Sequence, residues 1–298
     1  MADSIIQTRA LTKRYEGCDA LAGLDLEVPA GSICGFLGRN GAGKTTTLKT
    51  LLGMVHPSGG DARVFGLDAT DPAASLEIRR RAAFVDEDKD LYPHATVAEM
   101  LAFAARVFPA WRADLATAYV ARFRLPPERR VKALSRGMRT KLSLVLALSR
   151  GAELLILDEP TAGLDPEAAE EVLQGLVSHC AKEGVSVFFS SHQLAEVEQV
   201  ADRVIIIDRG KSIVAGPLDE LQEGFRRIRL VFDGQAPRAT FRSDGVVRAV
   251  WDGRVLDILS NGGGEALMAE ARALNPISID ASPLTLKEIF LQAVRGED

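Results

Sequence analysis

Nine residues, Gly38 to Thr46 (GRNGAGKTT), carry the strongest chemical pattern in the chain. Gly38, Gly41 and Gly43, with Asn40 and Ala42 between them, let the backbone curl so that its N–H groups converge on phosphate oxygens. Lys44, Thr45 and Thr46 follow directly and complete G-x-x-x-x-G-K-[ST]. In that pattern the lysine reaches the β- and γ-phosphates, and the first hydroxyl, here Thr45, ligates Mg2+. A second element, ELLILDEPT, ends an apolar run with Asp158 and Glu159. Asp158 can hold Mg2+ through water, and Glu159 can orient or deprotonate an attacking water. Alone, the first motif could be a Gly-rich turn and the second a helix-capping pair. In this order they point to transfer of a phosphoryl group from a bound nucleotide to water, with Mg2+ as cofactor.

That chemistry needs a strand ahead of the loop, a helix behind it and a neighbouring strand for the acids. The chain supplies them. Short β-branched or aromatic runs predict strands at Ser32–Leu37, Ala82–Val85, Leu154–Asp158, Val185–Ser190 and Val204–Asp208. Helical patterns alternate with them, one starting at Asp165-Pro166 with a capping residue and an N1 proline. Such alternation predicts an α/β fold with a mainly parallel sheet. Ile5–Arg9 and Leu24–Val28 predict N-terminal strands joined through a Gly-containing turn region. Residues 91–150 are rich in Ala, Leu and Arg and read as a helical insertion. Beyond about residue 221, RRIRLVFDG, VVRAVWDG and RVLDILSN suggest short strands, and EALMAEARAL and TLKEIFLQAV helices. The expected organisation is a main domain over 1–220, with its helical part at about 91–150, and a small α/β appendage over 221–298.

Composition narrows the class. The chain has 298 residues, enough for about two domains, with 47% hydrophobic and 26% charged residues and a net charge of −5. Disordered and fibrous chains are excluded, and so is a general cationic field for nucleic acid. No apolar run approaches the roughly 18 residues of a membrane span, and MADSIIQTR lacks the pattern of a signal peptide. Cys18, Cys34 and Cys180 are too widely spaced for metal pairing and read as reduced thiols of a cytosolic protein. Trp111 and Trp251 are expected in local cores, and His56, His94 and His179 on surfaces or loops. Arg79-Arg80-Arg81 and Arg129-Arg130 are expected on solvated faces.

Five motifs in order resemble the ATPase subunits of ATP-binding cassette (ABC) transporters across residues 1–220. Beside the two above stand LSRGM (Leu134–Met138), similar to the signature LSGGQ, TAGLD (Thr161–Asp165), similar to the D-loop, and SSHQ (Ser190–Gln193), similar to the switch-histidine loop. Tyr15, 29 residues before Lys44, falls where the family stacks an aromatic ring on adenine. The resemblance implies a P-loop NTPase fold and a head-to-tail dimer, either of identical chains or with a related ATPase subunit. Each ATP would lie between the phosphate loop of one subunit and Ser135 and Gly137 of the other. Lys44, Glu159 and His192 would be catalytic, His192 sensing the γ-phosphate, and Asp165 would communicate between the two sites. A separate transmembrane permease would hold the protein on the cytoplasmic face of the membrane, and no nucleic-acid partner is implied.

Four positions depart from the family. Arg136 replaces a signature glycine, and Met138 replaces its glutamine. In AAFVDE, Glu87 stands where the family has glutamine, with Asp86 in place of the proline before it. A carboxylate at 87 can hold Mg2+ and water but, when ionised, donates no hydrogen bond. The C-terminal PLTLKEIFLQAV resembles the extension of drug and antibiotic exporter ATPases. Two alternatives remain at this point: a soluble ABC ATPase acting on nucleic acid or the ribosome, and an ATP-binding regulatory subunit with little turnover.

Overall fold

The computed structural model describes residues 4–295 other than 89, 244 and 263. The chain divides into two compact units, Met1–Ala215 and Gly216–Asp298. The first begins β1 (Ser4–Tyr15), β2 (Cys18–Pro29), β3 (Ile33–Gly38), α1 (Lys44–Leu51), β4 (Gly59–Val64), β5 (Leu67–Asp68), α2 (Pro72–Arg81) and β6 (Ala82–Val85). It continues α3 (Val97–Val107), α4 (Ala113–Arg122), α5 (Arg136–Leu148), β7 (Leu154–Asp158), α6 (Pro166–Glu183), β8 (Ser186–Ser191), α7 (Leu194–Val200), β9 (Arg203–Asp208) and β10 (Lys211–Pro217).

Apolar continuity decides which strands lie deepest. ICGFLG, LLILD and SVFFSS are buried at every residue, as parallel strands covered on both faces must be. They form the centre of a six-stranded sheet ordered β10-β9-β3-β8-β7-β6, parallel from β9 to β6. A second sheet, β2-β1-β4-β5, is antiparallel. Its β1–β2 hairpin has two strands of 12 residues, so Ile5–Arg9 and Leu24–Val28 mark only part of each. The unexpected β4 opens on two glycines and mixes charge with small residues (GGDARV), which hides any alternation.

Helix α1 lies between the two sheets. Its Leu48 and Leu51 share one buried core with Ile6 and Leu24 from the antiparallel sheet and Phe36, Ile156 and Phe188 from the parallel one. Burying such a side chain contributes roughly 1.5–3 kcal/mol, so the helix is gripped from both faces. Between β6 and β7 come α3, α4 and α5. Thr96 and Glu99 form a reciprocal capping box at α3, and Ser135 caps α5 by accepting from the Met138 N–H at 3.2 Å.

The second unit comprises α8 (Leu218–Gly224), β11 (Phe225–Val231), β12 (Val246–Asp252), β13 (Val255–Asn261), α9 (Gly264–Ala273), β14 (Ser278–Pro283) and α10 (Leu286–Arg295). Its sheet, β12-β13-β11-β14, is antiparallel, and Ile228, Leu230, Leu256 and Ile258 pack with Leu267 and Ala271 of α9.

Several single-residue expectations change. Trp251 is 39% exposed on β12, its indole N–H donating to the Pro237 carbonyl, rather than a core residue. His179 is buried in α6 against the Tyr119 ring, and that burial holds its pKa below the ordinary value. Arg79 and Arg81 are not merely solvated. Arg79 donates to the Leu52 carbonyl, and Arg81 pairs with Glu153 and stacks on Phe65. Cys34 is buried, with its thiol pushed up to about 12 by burial.

Gly35 on β3 has a steric reason to be glycine: a Cβ there would collide with Val197 Cγ1 on α7. Gly35→Ala is expected to cost about 1–3 kcal/mol in denaturant unfolding. Adding Val197→Ala should recover part of that loss. Strictly additive losses in the double variant would contradict the close approach.

Candidate active site

The phosphate loop leaves β3 and turns into α1 through Gly41 and Gly43, whose φ angles of 81° and 106° lie in the left-handed region. A Cβ at Gly43 would also meet the Ala20 carbonyl at 2.5 Å. No acidic residue occupies the first turn of α1, which leaves its N-terminus suited to an anion. Lys44 is buried and folds back along the loop, its Nζ donating to the Gly38 carbonyl at 2.9 Å and the Arg39 carbonyl at 3.4 Å.

The acidic pair arrives on β7, the next strand but one from β3. Thr45 Oγ1 donates to Asp158 Oδ2 at 2.7 Å, and Ser190 Oγ donates to the other oxygen, Oδ1, at 2.5 Å. Ser190 Oγ also accepts from the Glu159 N–H at 3.1 Å. Glu159 has φ 50°, uncommon for a residue with a side chain and costing on the order of 1 kcal/mol or more. Its Oε2 lies 2.8 Å from His192 Nδ1. Asp158 and Glu159 are both buried.

These groups open on a cleft of about 530 Å³ lined by Tyr15, Asn40, Gly41, Gly43, Lys44, Thr45, Thr46, Glu87, Asp158, Glu159 and His192, with Cys18 and Ala20. Tyr15 is 46% exposed, and Lys13 Nζ stands 4.9 Å from its ring centroid. Gly38 and Ala42 do not line the cleft. Gly38 supplies the carbonyl that holds Lys44, and Ala42 is buried, its carbonyl accepting from the Gly210 N–H. Ser135, Gly137 and Asp165 lie outside the lining as well. Ser135 caps α5, while Asp165 Oδ1 accepts from the Ala168 N–H at the start of α6. Within the chain the signature turn and the D-loop touch: a Cβ on Gly163 would collide with Arg136, and one on Gly137 would press on Leu164.

Cys18 and Ser190 were not singled out as site residues. Cys18 pairs with Tyr15 across the hairpin, so placing the tyrosine at the cleft brings the cysteine with it. Ser190 sits opposite Asp158 in the β7–β8 register, a signal visible only once the strands are paired.

The lining residues set three carboxylates, Glu87, Asp158 and Glu159, against one lysine. A polyphosphate entering this cleft therefore calls for a divalent cation. The Thr45 hydroxyl and the Asp158 carboxylate, already in contact, would suit a hydrated Mg2+. No group of three His, Cys, Asp or Glu converges to hold a metal among the described residues.

A glycine-rich loop at the C-terminal end of a central parallel strand, facing an acidic pair two strands away, is the architecture of a P-loop nucleoside triphosphatase. Comparison with known proteins narrows the class. The family profile described as ABC transporter matches residues 21–162. The bacitracin transport ATP-binding protein BcrA of Bacillus licheniformis is 37% identical over 226 residues, 75% of this chain and 73% of its own. The ABC transporter ATP-binding protein YtrB of Bacillus subtilis (strain 168) is 26% identical over 293 residues, 98% of this chain and 99% of its own. A solved ATP-binding subunit of an ABC transporter superposes with a TM-score of 0.67 at 29% identity, covering 74% of this chain and 92% of that one. The chain belongs to the ABC transporter family, as an ATP-hydrolysing, nucleotide-binding subunit. The findings support that over a nucleic-acid-directed or purely regulatory ATPase.

The neighbourhood of the acids gives a pH dependence. Burial raises the pKa of Glu196, and the charge of Glu159 adds to this against the opposing Thr161 hydroxyl bond and His192. A raised folded-state carboxyl pKa favours folding at low pH, and that advantage is lost as pH rises through the folded value. Glu196→Gln keeps an acceptor for Thr161 and should melt above the parent at pH 7. The difference should close as pH falls below the ordinary carboxylate range, about pH 4. Equal melting temperatures at pH 7 would contradict a half-buried charge at Glu196.

Proposed function

We propose that two ATPase subunits close head to tail over two ATP molecules and that this closure drives a separate transmembrane permease. The observation that carries it is the one-sidedness of the cleft. Phosphate loop, acidic pair and His192 line it, while Ser135 and Gly137 stand elsewhere, at the start of α5. A helix N-terminus of that kind is suited to a phosphate brought by another subunit. Each chain then contributes half of each site.

Within the closed site, Tyr15 stacks on the adenine, and the loop amides from Asn40 to Thr46 with Lys44 hold the β- and γ-phosphates. Thr45, Asp158 and Glu87 would hold Mg2+, which when bound neutralises charge building on the phosphates. Glu159 accepts a proton from the attacking water while His192 Nδ1 holds its Oε2, so that loss of the γ-phosphate is felt at His192. Ser135 and Gly137 of the second subunit bind the γ-phosphate from the far side. Asp165 relays between the two sites through the placement of the D-loop, which touches the signature turn. The subunit works on the cytoplasmic face of the membrane through its permease, and the direction is export. Support for export is the resemblance of the α10 segment to exporter extensions.

Glu159→Gln should lower turnover by at least about 100-fold while trapping an ATP-bound dimer in light scattering. Hydrolysis at the parental rate would remove Glu159 from the role of base. Lys44→Ala should strongly weaken ATP binding or turnover, and unchanged kinetics would move the phosphate site elsewhere. Tagged protein drawn with ATP from detergent-solubilised membranes should bring a polytopic membrane protein in stoichiometric amount. Recovery with ribosomes or nucleic acid instead would overturn the transport role.

A further inference from the structure

The loop leaving β6 departs from the family at Asp86 and Glu87, and the two departures are joined in space. Asp86 Oδ1 accepts the Glu87 backbone N–H at 2.8 Å, and Asp86 Oδ2 receives Lys49 Nζ at 2.9 Å. Lys49 lies four residues beyond Thr45 on α1, so both project from the same helix face. Thr45 reaches Asp158 at the end of β7. Strands β6 and β7 are parallel neighbours with Val85 opposite Leu157, which sets Asp86 at the position beside Asp158. One face of the phosphate-loop helix therefore bridges the ends of two adjacent strands, with Thr45 on one and Lys49 on the other.

We propose that Lys49 and Asp86 are positioning residues that fix Glu87 at the rim of the nucleotide cleft, so that movement of α1 carries the loop with it. This rests on the assignment of Glu87 to the nucleotide site. Where the family has proline, the ring restricts the backbone. Here a side-chain acceptor and an ion pair do so, and unlike a ring they are anchored to the helix that touches phosphate. The Lys49 and Asp86 side chains are 33% and 34% exposed, and a pair this accessible contributes little to stability. Its effect lies in placement. Lys49 has its pKa raised chiefly by the Asp86 hydrogen bond, with the charges of Asp86, Asp158 and Asp88 adding. Glu87 is also a shared wall, lining both the nucleotide cleft and an adjoining cavity of about 430 Å³. That cavity is also lined by Asp88 and Asp90 and by Lys132, Arg136 and Arg139, the last two on α5. Glu87 is thus one of the charges that share this space with the signature helix.

The test uses Lys49→Met, Asp86→Ala, Lys49→Arg and Glu87→Ala in the full chain. Amide hydrogen exchange at Glu87, read by NMR without nucleotide or metal, should quicken in Lys49→Met and Asp86→Ala and return to the parental rate in Lys49→Arg. Melting temperatures should stay within a few degrees. The ATP dissociation constant should remain within about threefold while kcat falls about tenfold, as for residues that orient a ligand from behind. Parental exchange at Glu87 in both disrupting variants would overturn the proposal, as would a fall in kcat that Lys49→Arg fails to restore. Glu87→Ala separates the two assignments. Parental kcat in that variant removes Glu87 from the nucleotide site, while exchange in the Lys49 and Asp86 variants still decides the clamp.

Discussion

The hydroxyl of Thr45 donating to the carboxylate of Asp158 is the contact on which the first unit depends. It joins the helix that follows the phosphate loop to the strand that carries the acids. Helix α1 is only eight residues long, too short to be stable in isolation. Its position comes from Leu48 and Leu51, held between two sheets. On the other side, Ser190 holds the second oxygen of Asp158 and the backbone of Glu159 together. A buried carboxylate with hydrogen bonds to both oxygens avoids the cost of a stranded charge. The same bonds set the strained backbone of Glu159 where its side chain meets His192.

Charge explains much of the remaining arrangement. Three carboxylates and one lysine line the cleft, a balance that the proposed site would offset with Mg2+ and with the polar start of a second subunit's α5. The loop after β6 follows the same logic. Glu87 puts a carboxylate on the cleft lining, and Asp86 with Lys49 links the backbone there to α1. Lys132, Arg136 and Arg139 line the adjoining cavity together with Asp88 and Asp90.

The parts of the site legible in the amino-acid sequence are those whose chemistry is local. Gly38 to Thr46 lie in one turn, and Asp158-Glu159 end one apolar strand, so residue type and order suffice. The buried parallel strands were legible for the same reason, since a strand covered on both faces must be apolar throughout. What sequence could not supply depends on pairing. Ser190 becomes a ligand of Asp158 only through the β7–β8 register, Cys18 enters the cleft only through the β1–β2 hairpin, and Asp86 meets Lys49 only because α1 crosses two strands. His179 and Trp251 were misplaced because one residue's burial is set by what packs over it. The polar β14 (SIDASP) went unread because its ladder partner, not its own pattern, makes it a strand.

In the proposed dimer a single chain holds half of each working site. The most direct measurement is the specific ATPase activity of the purified subunit against its own concentration, at saturating ATP and Mg2+. Activity per chain should rise with concentration through the dimerisation range and then level off. Activity per chain that stays constant, down to concentrations where light scattering finds only monomer, would contradict the composite site.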